Sequence, residues 1–335
     1  MYWEERGHLN KYWHAISTQI SKGLFSRWVS ILIFPIAITI ILVILLKTGT
    51  KISWRQIHFS LILLVGSFGI EILGLFGAIP IWRKLLSYHQ ISSGLWDDIR
   101  IYCTSMLGTV IPGGIWSMVG RATLYKKLGY NELRVVMANV VETLIIGISG
   151  LIVYAIANVL SPEINLFEEP IIGLLIVFLA LILIQPRVFA KIAHWVLSKK
   201  KSDMEPFIRI YRFKDLIVWL FVECLVIVSG GLAIYVFLRS FIYVPISALI
   251  QVLAAWGIAN AVSNLFFWLP GTPIVRDGTM VIALTPNIQA PSALLFVILI
   301  RIWSIVSILL LVGSIWLITI VNNQREKNRA VVRNK

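Results

Sequence analysis

Long apolar runs, separated by short and mostly basic segments, dominate the chain. At about 1.5 Å of rise per helical residue, a hydrocarbon core of about 30 Å takes roughly twenty apolar residues. The pattern predicts spans near 28–46, 57–81, 134–160, 170–184, 216–238 and 292–321. Two further apolar stretches, 99–120 and 245–286, do not read as single crossings, because each carries a Pro-Gly break. The first break is Pro112-Gly113-Gly114 and the second is Pro270-Gly271, with Gly278 shortly after it. Proline removes a backbone donor and glycine lets the chain turn, so both stretches read as re-entrant or broken helices. Such backbone is tolerated at membrane depth only where protein or water satisfies it. The expected fold is therefore all-α, a polytopic membrane helix bundle with two interrupted segments.

Composition strengthens that picture. Of 335 residues, 58% are hydrophobic and 14% charged, with a mean hydropathy of +0.86. Soluble domains carry about a quarter charged residues. The net charge of +14 is concentrated in the first 27 residues, in 187–214 and in the last stretch of the chain. That unevenness fits the positive-inside rule and contact with anionic headgroups, and it argues against nucleic acid as a partner. It places the basic termini, Arg83-Lys84, the group Arg121, Lys126, Lys127 and Arg134, and the 187–214 loop in the cytoplasm. The acidic 159–169 loop and the uncharged 285–291 loop then lie outside. With those sides assigned, the first break dips from the inside and the second opens outward, the parity of an inverted repeat. The domain organisation expected is a basic segment 1–27, a transmembrane domain 28–321 and a basic tail 322–335, in the cell membrane. No cleavable signal peptide is recognised, since the first long apolar run lacks a small-residue cleavage pattern. Cys103 and Cys224 sit far apart in apolar segments and read as small hydrophobes, with no metal spacing. No cofactor is implied.

Ionisable residues at membrane depth face a bundle interior or a wet cavity. Glu71, Glu142, Glu223, Arg276, Asp277 and Arg301 qualify. Glu71 lies among Gly66, Gly69, Gly74 and Gly77, which suit close helix packing, so either a neighbouring helix or a cavity would receive it. Glu142 shares a helical face with Asn139, three residues away, and that pairing suits a cavity wall. Arg301 needs a carboxylate or phosphate partner because guanidinium keeps its charge. A half-helix beginning after a break points N–H groups inward and suits a phosphate, which Arg276 would also grip.

At these residues the chain resembles the flippase-like membrane domain family, the membrane half of lysylphosphatidylglycerol synthases and its stand-alone relatives. The resemblance rests on Pro270-Gly271 followed by Val275-Arg276-Asp277-Gly278, then on Arg301 in ALLFVILIRIW. A first motif is matched by Pro112, Gly113 and Arg121 in IPGGIWSMVGRATLYKKLGY, and Glu142 fits the following span. Asp277 replaces the usual glutamate, Thr143 an arginine, and Ser117 stands near a motif glutamate. The similarity runs from about 57 to 321. It implies a translocator of an anionic phospholipid or polyprenyl-linked glycan, with Arg121, Arg276 and Arg301 on phosphate and Glu142, Asp277 and Glu71 balancing charge. It also implies a protein that is not an enzyme, lacking the soluble aminoacyl-transferring domain. Its oligomeric state is left open, a homodimer included.

Two rivals come from other classes. A glycosyl- or phospho-transferase acting on a polyprenyl phosphate would need carboxylates at a membrane face. Asp97-Asp98 is the adjacent pair, although a helix N-terminus also favours acids. A non-transporting accessory of lipid-glycan assembly is expected if the polar residues fall into separate, dry contacts.

Overall fold

A computed structural model describes residues 59–110, 115–161, 211–267, 272–285 and 290–333, with isolated positions at 175, 178, 182 and 188. The expected span 28–46 lies outside the described residues, as does most of 170–184. So do the segment 1–27 and the five break residues Pro112, Gly113, Gly114, Pro270 and Gly271.

Every regular element described is helical: α1 Leu61–Gly77, α2 Ile79–Tyr88, α3 Leu95–Ser105, a 3-10 turn Met106–Thr109, α4 Trp116–Lys127, α5 Glu132–Leu160, α6 Phe213–Arg239, α7 Ala248–Leu265, α8 Thr272–Leu284 and α9 Ala290–Arg333. Among the described residues, five helical stretches are long and apolar enough to cross a membrane: α1 with α2, α5, α6, α7, and residues 292–322 of α9. This is a polytopic membrane bundle. Its outer faces carry exposed Ile62, Leu73, Phe221 and Leu317, which suit lipid rather than water.

Local chemistry sets the ends. Ser60 caps α1 by accepting from the Leu63 N–H at 3.4 Å. Pro80 near the start of α2 has no N–H to offer, and the chain turns at Ala78 between α1 and α2. Gly94 caps α3, with Asp97 and Asp98 in the favourable first turn. Asn131 accepts from Leu133 N–H at 2.9 Å to open α5. The 44 residues of α9 rise about 66 Å, more than a bilayer core needs. The helix runs on through the basic tail, so the boundary expected at 321–322 is one of charge and not of backbone.

Gly278 requires a correction. It lies inside α8 and is no backbone break. A Cβ there would meet nothing within 4 Å. Nothing beside it forces a turn, and helical bonding continues through it.

Helix directions follow from residue pairings. In the α3–α4 hairpin, Ser105 faces Arg121 and Gly108 abuts Ser117, so the two arms run antiparallel and straddle Pro112-Gly113 in sequence. A Cβ on Gly108 would come within 2.4 Å of the Ser117 nitrogen. Helix α1 runs antiparallel to α6: Ser60 N–H donates to Ser240 O at 2.9 Å, while Gly74 meets Ser229 and Gly77 meets Val226. Helix α9 runs parallel to α1, with Trp303 donating to Ser67 and Leu311 and Ile315 packing by Ile72 and Leu75. Helices α5 and α7 cross antiparallel at Gly150, Gly257 and Ala261, where a Gly150 Cβ would lie 2.6 Å from the Gly257 oxygen. Small residues permit that approach. The α6–α7 pair is also antiparallel, Gly230 meeting Trp256 and Gly231 meeting Leu253.

These directions have the form of an inverted repeat. One half is α1–α2, the α3–α4 hairpin and α5; the other is α6, the α7–α8 pair and α9. Corresponding first helices, α1 and α6, are antiparallel. So are the last, α5 and α9, by the chain of pairings above. The hairpins therefore enter from opposite sides, in agreement with the charge parity.

Candidate functional site

The charged residues at depth form two clusters of different character. The first is enclosed. Helix α4 contributes Arg121, only 6% exposed, whose Nη1 is 2.5 Å from Glu142 Oε2 on α5. Its Nε donates to Ser105 Oγ of α3 at 3.1 Å. Above and below, its Cζ lies 4.3 Å from the Trp82 ring and 4.2 Å from the Tyr102 ring. A desolvated guanidinium gains from aromatic faces as well as from its carboxylate. Glu142 is 4% exposed, and its Oε1 has no hydrogen-bond partner among the described residues. Glu223 reaches the same neighbourhood from α6, 2% exposed and within the electrostatic field of Glu142. Five helices meet here.

A clasp adjoins this cluster. Asp98 accepts from Arg83 Nε at 2.9 Å, from Tyr125 OH at 2.7 Å and from Ser93 Oγ. Trp82 Nε1 in turn donates to Tyr125 OH at 3.0 Å. Burial, and then the Asp98 charge, hold the Tyr125 phenol well above its ordinary pKa, so it remains a donor at neutral pH. A cavity of about 410 Å³ lies beside the clasp, lined in part by Arg83, Lys84, Ser87 and Ser93.

The second cluster is half open. Asp277 of α8 sits 3.2 Å from Arg276 Nη2 and 3.2 Å from Arg301 Nη1 of α9. The three side chains are 22%, 27% and 23% exposed. Arg276 also lies over the Trp256 ring of α7, its Cζ at 5.5 Å. Glu71 on α1, half-buried, completes the surround: its Oε2 would lie 3.6 Å from a Cβ placed on Gly230, beside Trp256, and the Arg276 charge reaches it. Two guanidiniums sharing one carboxylate leave a donor-rich surface with an excess positive charge. Such a surface suits an oxyanion, above all a phosphate with several acceptor oxygens.

The structure thus brings together Arg276, Asp277, Arg301 and Glu71, and separately Arg121 and Glu142. Asn139 joins neither: it is buried and its Nδ2 donates to Val135 O of its own helix at 3.1 Å. The glycines around Glu71 divide, Gly74 and Gly77 packing on α6 while Gly66 and Gly69 meet nothing within 4 Å. Sequence reasoning missed Trp82, Tyr102, Tyr125 and Trp256, the aromatic partners of the arginines. Their helices differ from those of the cations, so no spacing along the chain reveals them.

No protein-family model, no curated protein and no solved structure matches the chain.

Proposed function

We propose that the protein translocates an anionic phospholipid or polyprenyl-linked glycan between membrane leaflets. The observation that carries this reading is the half-open cluster, where Arg276 and Arg301 share Asp277 between two helices. A headgroup phosphate takes the place of that carboxylate on one or both arginines, while Glu71 and Asp277 balance charge as it passes. The tails stay in lipid, since the surrounding helices are apolar outward. Arg121 takes a different role from the one its motif suggests. Enclosed by Glu142, Trp82 and Tyr102, it pins the α3–α4 hairpin to α5. The family resemblance of the Arg276 segment supports the same reading, as does a basic side assigned to the cytoplasm of a cell-membrane protein. Asp98, the acid a transferase would recruit, already accepts from three side chains, and we favour translocation over catalysis.

Arg276→Ala and Arg301→Ala, purified and shown by circular dichroism to retain helix, should each lose transfer of fluorescent phosphatidylglycerol or a polyprenyl-phosphate glycan in proteoliposomes. Transfer at the wild-type rate by both folded variants overturns the assignment.

A further inference from the structure

Two buried carboxylates face one guanidinium in the enclosed cluster. Glu142 gives Oε2 to Arg121 and leaves Oε1 without a partner among the described residues. Glu223 approaches from α6 with no hydrogen bond among the described residues. The remaining titratable groups are few. Helix α3 offers Tyr102 and Cys103, α4 offers Arg121 and Tyr125, and α6 adds Cys224 beside Glu223. From α2, Arg83 is taken by Asp98, Lys84 is exposed and Tyr88 donates to Asp215. Helix α7 carries no titratable side chain at all. On α1, Glu71 lies at the other cluster, as do Arg276 and Asp277 on α8 and Arg301 on α9.

With both carboxyls ionised the cluster holds a net negative charge in a dry interior, which is costly. One proton removes that charge and also supplies a donor hydroxyl to a site with an orphaned acceptor. We propose that Arg121, Glu142 and Glu223 form a proton-binding site that couples headgroup movement to a proton gradient. The coupling rests on the translocator reading; the proton site does not. Uptake converts one carboxylate and one proton into a neutral carboxyl, and release returns that proton to water on the opposite face. The proton belongs to the pair rather than to either residue. Helix α6 is the link between the clusters. Glu223 and Gly230 are seven residues apart on one face, about 10 Å along the axis, and Gly230 sits against Trp256 and Glu71. A change of charge at Glu223 acts on the helix that also walls the headgroup cluster, an element both sites bias.

The test uses the full chain in two formats. In lipid nanodiscs, infrared difference spectra across a pH titration should show a protonated-carboxyl stretch, present in wild type and Glu223→Asp and absent in Glu223→Gln. In proteoliposomes, an imposed proton gradient should raise the initial rate of fluorescent phosphatidylglycerol transfer several-fold in wild type and leave Glu223→Gln unchanged. Should Glu223→Gln not fold, Glu223→Met, apolar and of similar length, replaces it. A wild-type spectrum with no carboxyl band that these variants remove overturns the proton site. Transfer that proceeds but ignores the gradient overturns the coupling while leaving translocation intact. Transfer absent from wild type under every gradient overturns translocation and coupling together, with the infrared result still deciding the proton site.

Discussion

Arg121 and Arg276 share a side chain and differ in everything that decides their use. Arg121 has its fork occupied by Glu142 and Ser105 and both faces covered by rings. Arg276 has a carboxylate on one side, one ring at a distance and open surface beyond. Burial turns the first into a structural rivet. Truncating one member of a buried ion pair strands the other charge, at a cost of about 3–5 kcal/mol. Arg121→Ala should therefore lower the thermal unfolding midpoint in detergent markedly, and adding Glu142→Ala should recover part of the loss. A recovery of zero would mean that the pair's charges are not what stabilises the hairpin. Sequence reading placed both arginines at depth correctly. What it lacked was their degree of enclosure, because Trp82 and Tyr102 reach Arg121 from two other helices.

At the scale of the element, helix-forming runs were legible from apolar length and their ends from local chemistry. Residues 134–160 were expected and α5 spans Glu132–Leu160; 216–238 were expected and α6 spans Phe213–Arg239. The stretch 57–81 became two helices, since Pro80 interrupts the ladder. Gly278 was read as part of a break and is helical, because a lone glycine weakens a helix without ending it. Glycines of identical appearance separate sharply by neighbour. Gly150→Ala would set its Cβ 2.6 Å from the Gly257 oxygen, a backbone atom that cannot swing away. Overpacking of this kind costs about 1–3 kcal/mol, so this variant should unfold at lower temperature than wild type. Gly66→Ala meets nothing within 4 Å and gains helix propensity. Its unfolding midpoint should equal or exceed that of wild type. The α5–α7 crossing is wrongly described if Gly150→Ala proves neutral in the same assay.

The whole molecule is two halves of matching order and opposite direction, with a hairpin entering from each side. That arrangement makes a topological prediction. In a background lacking Cys103 and Cys224, single cysteines at Asn131, after the first hairpin, and Tyr243, before the second, should label from opposite membrane faces with an impermeant thiol reagent. Labelling of both from one face would remove the inverted relation. Charge bias further expects Asn131 on the cytoplasmic face.

Hydropathy, charge bias and two Pro-Gly breaks were enough, read along the chain, to settle that this is an all-helical membrane protein with two interrupted segments. The physical reason is that lipid leaves the backbone few options and imposes its thickness on every crossing. Those constraints act locally and are written in consecutive residues. Which carboxylate meets which arginine was decided only in three dimensions. Asp277 links Arg276 to Arg301 across 24 residues, Glu142 meets Arg121 across 21, and Glu223 approaches them from a distant helix. Burial and partnership are properties of packed helices, and packing alone made one cluster a closed anchor and left the other open.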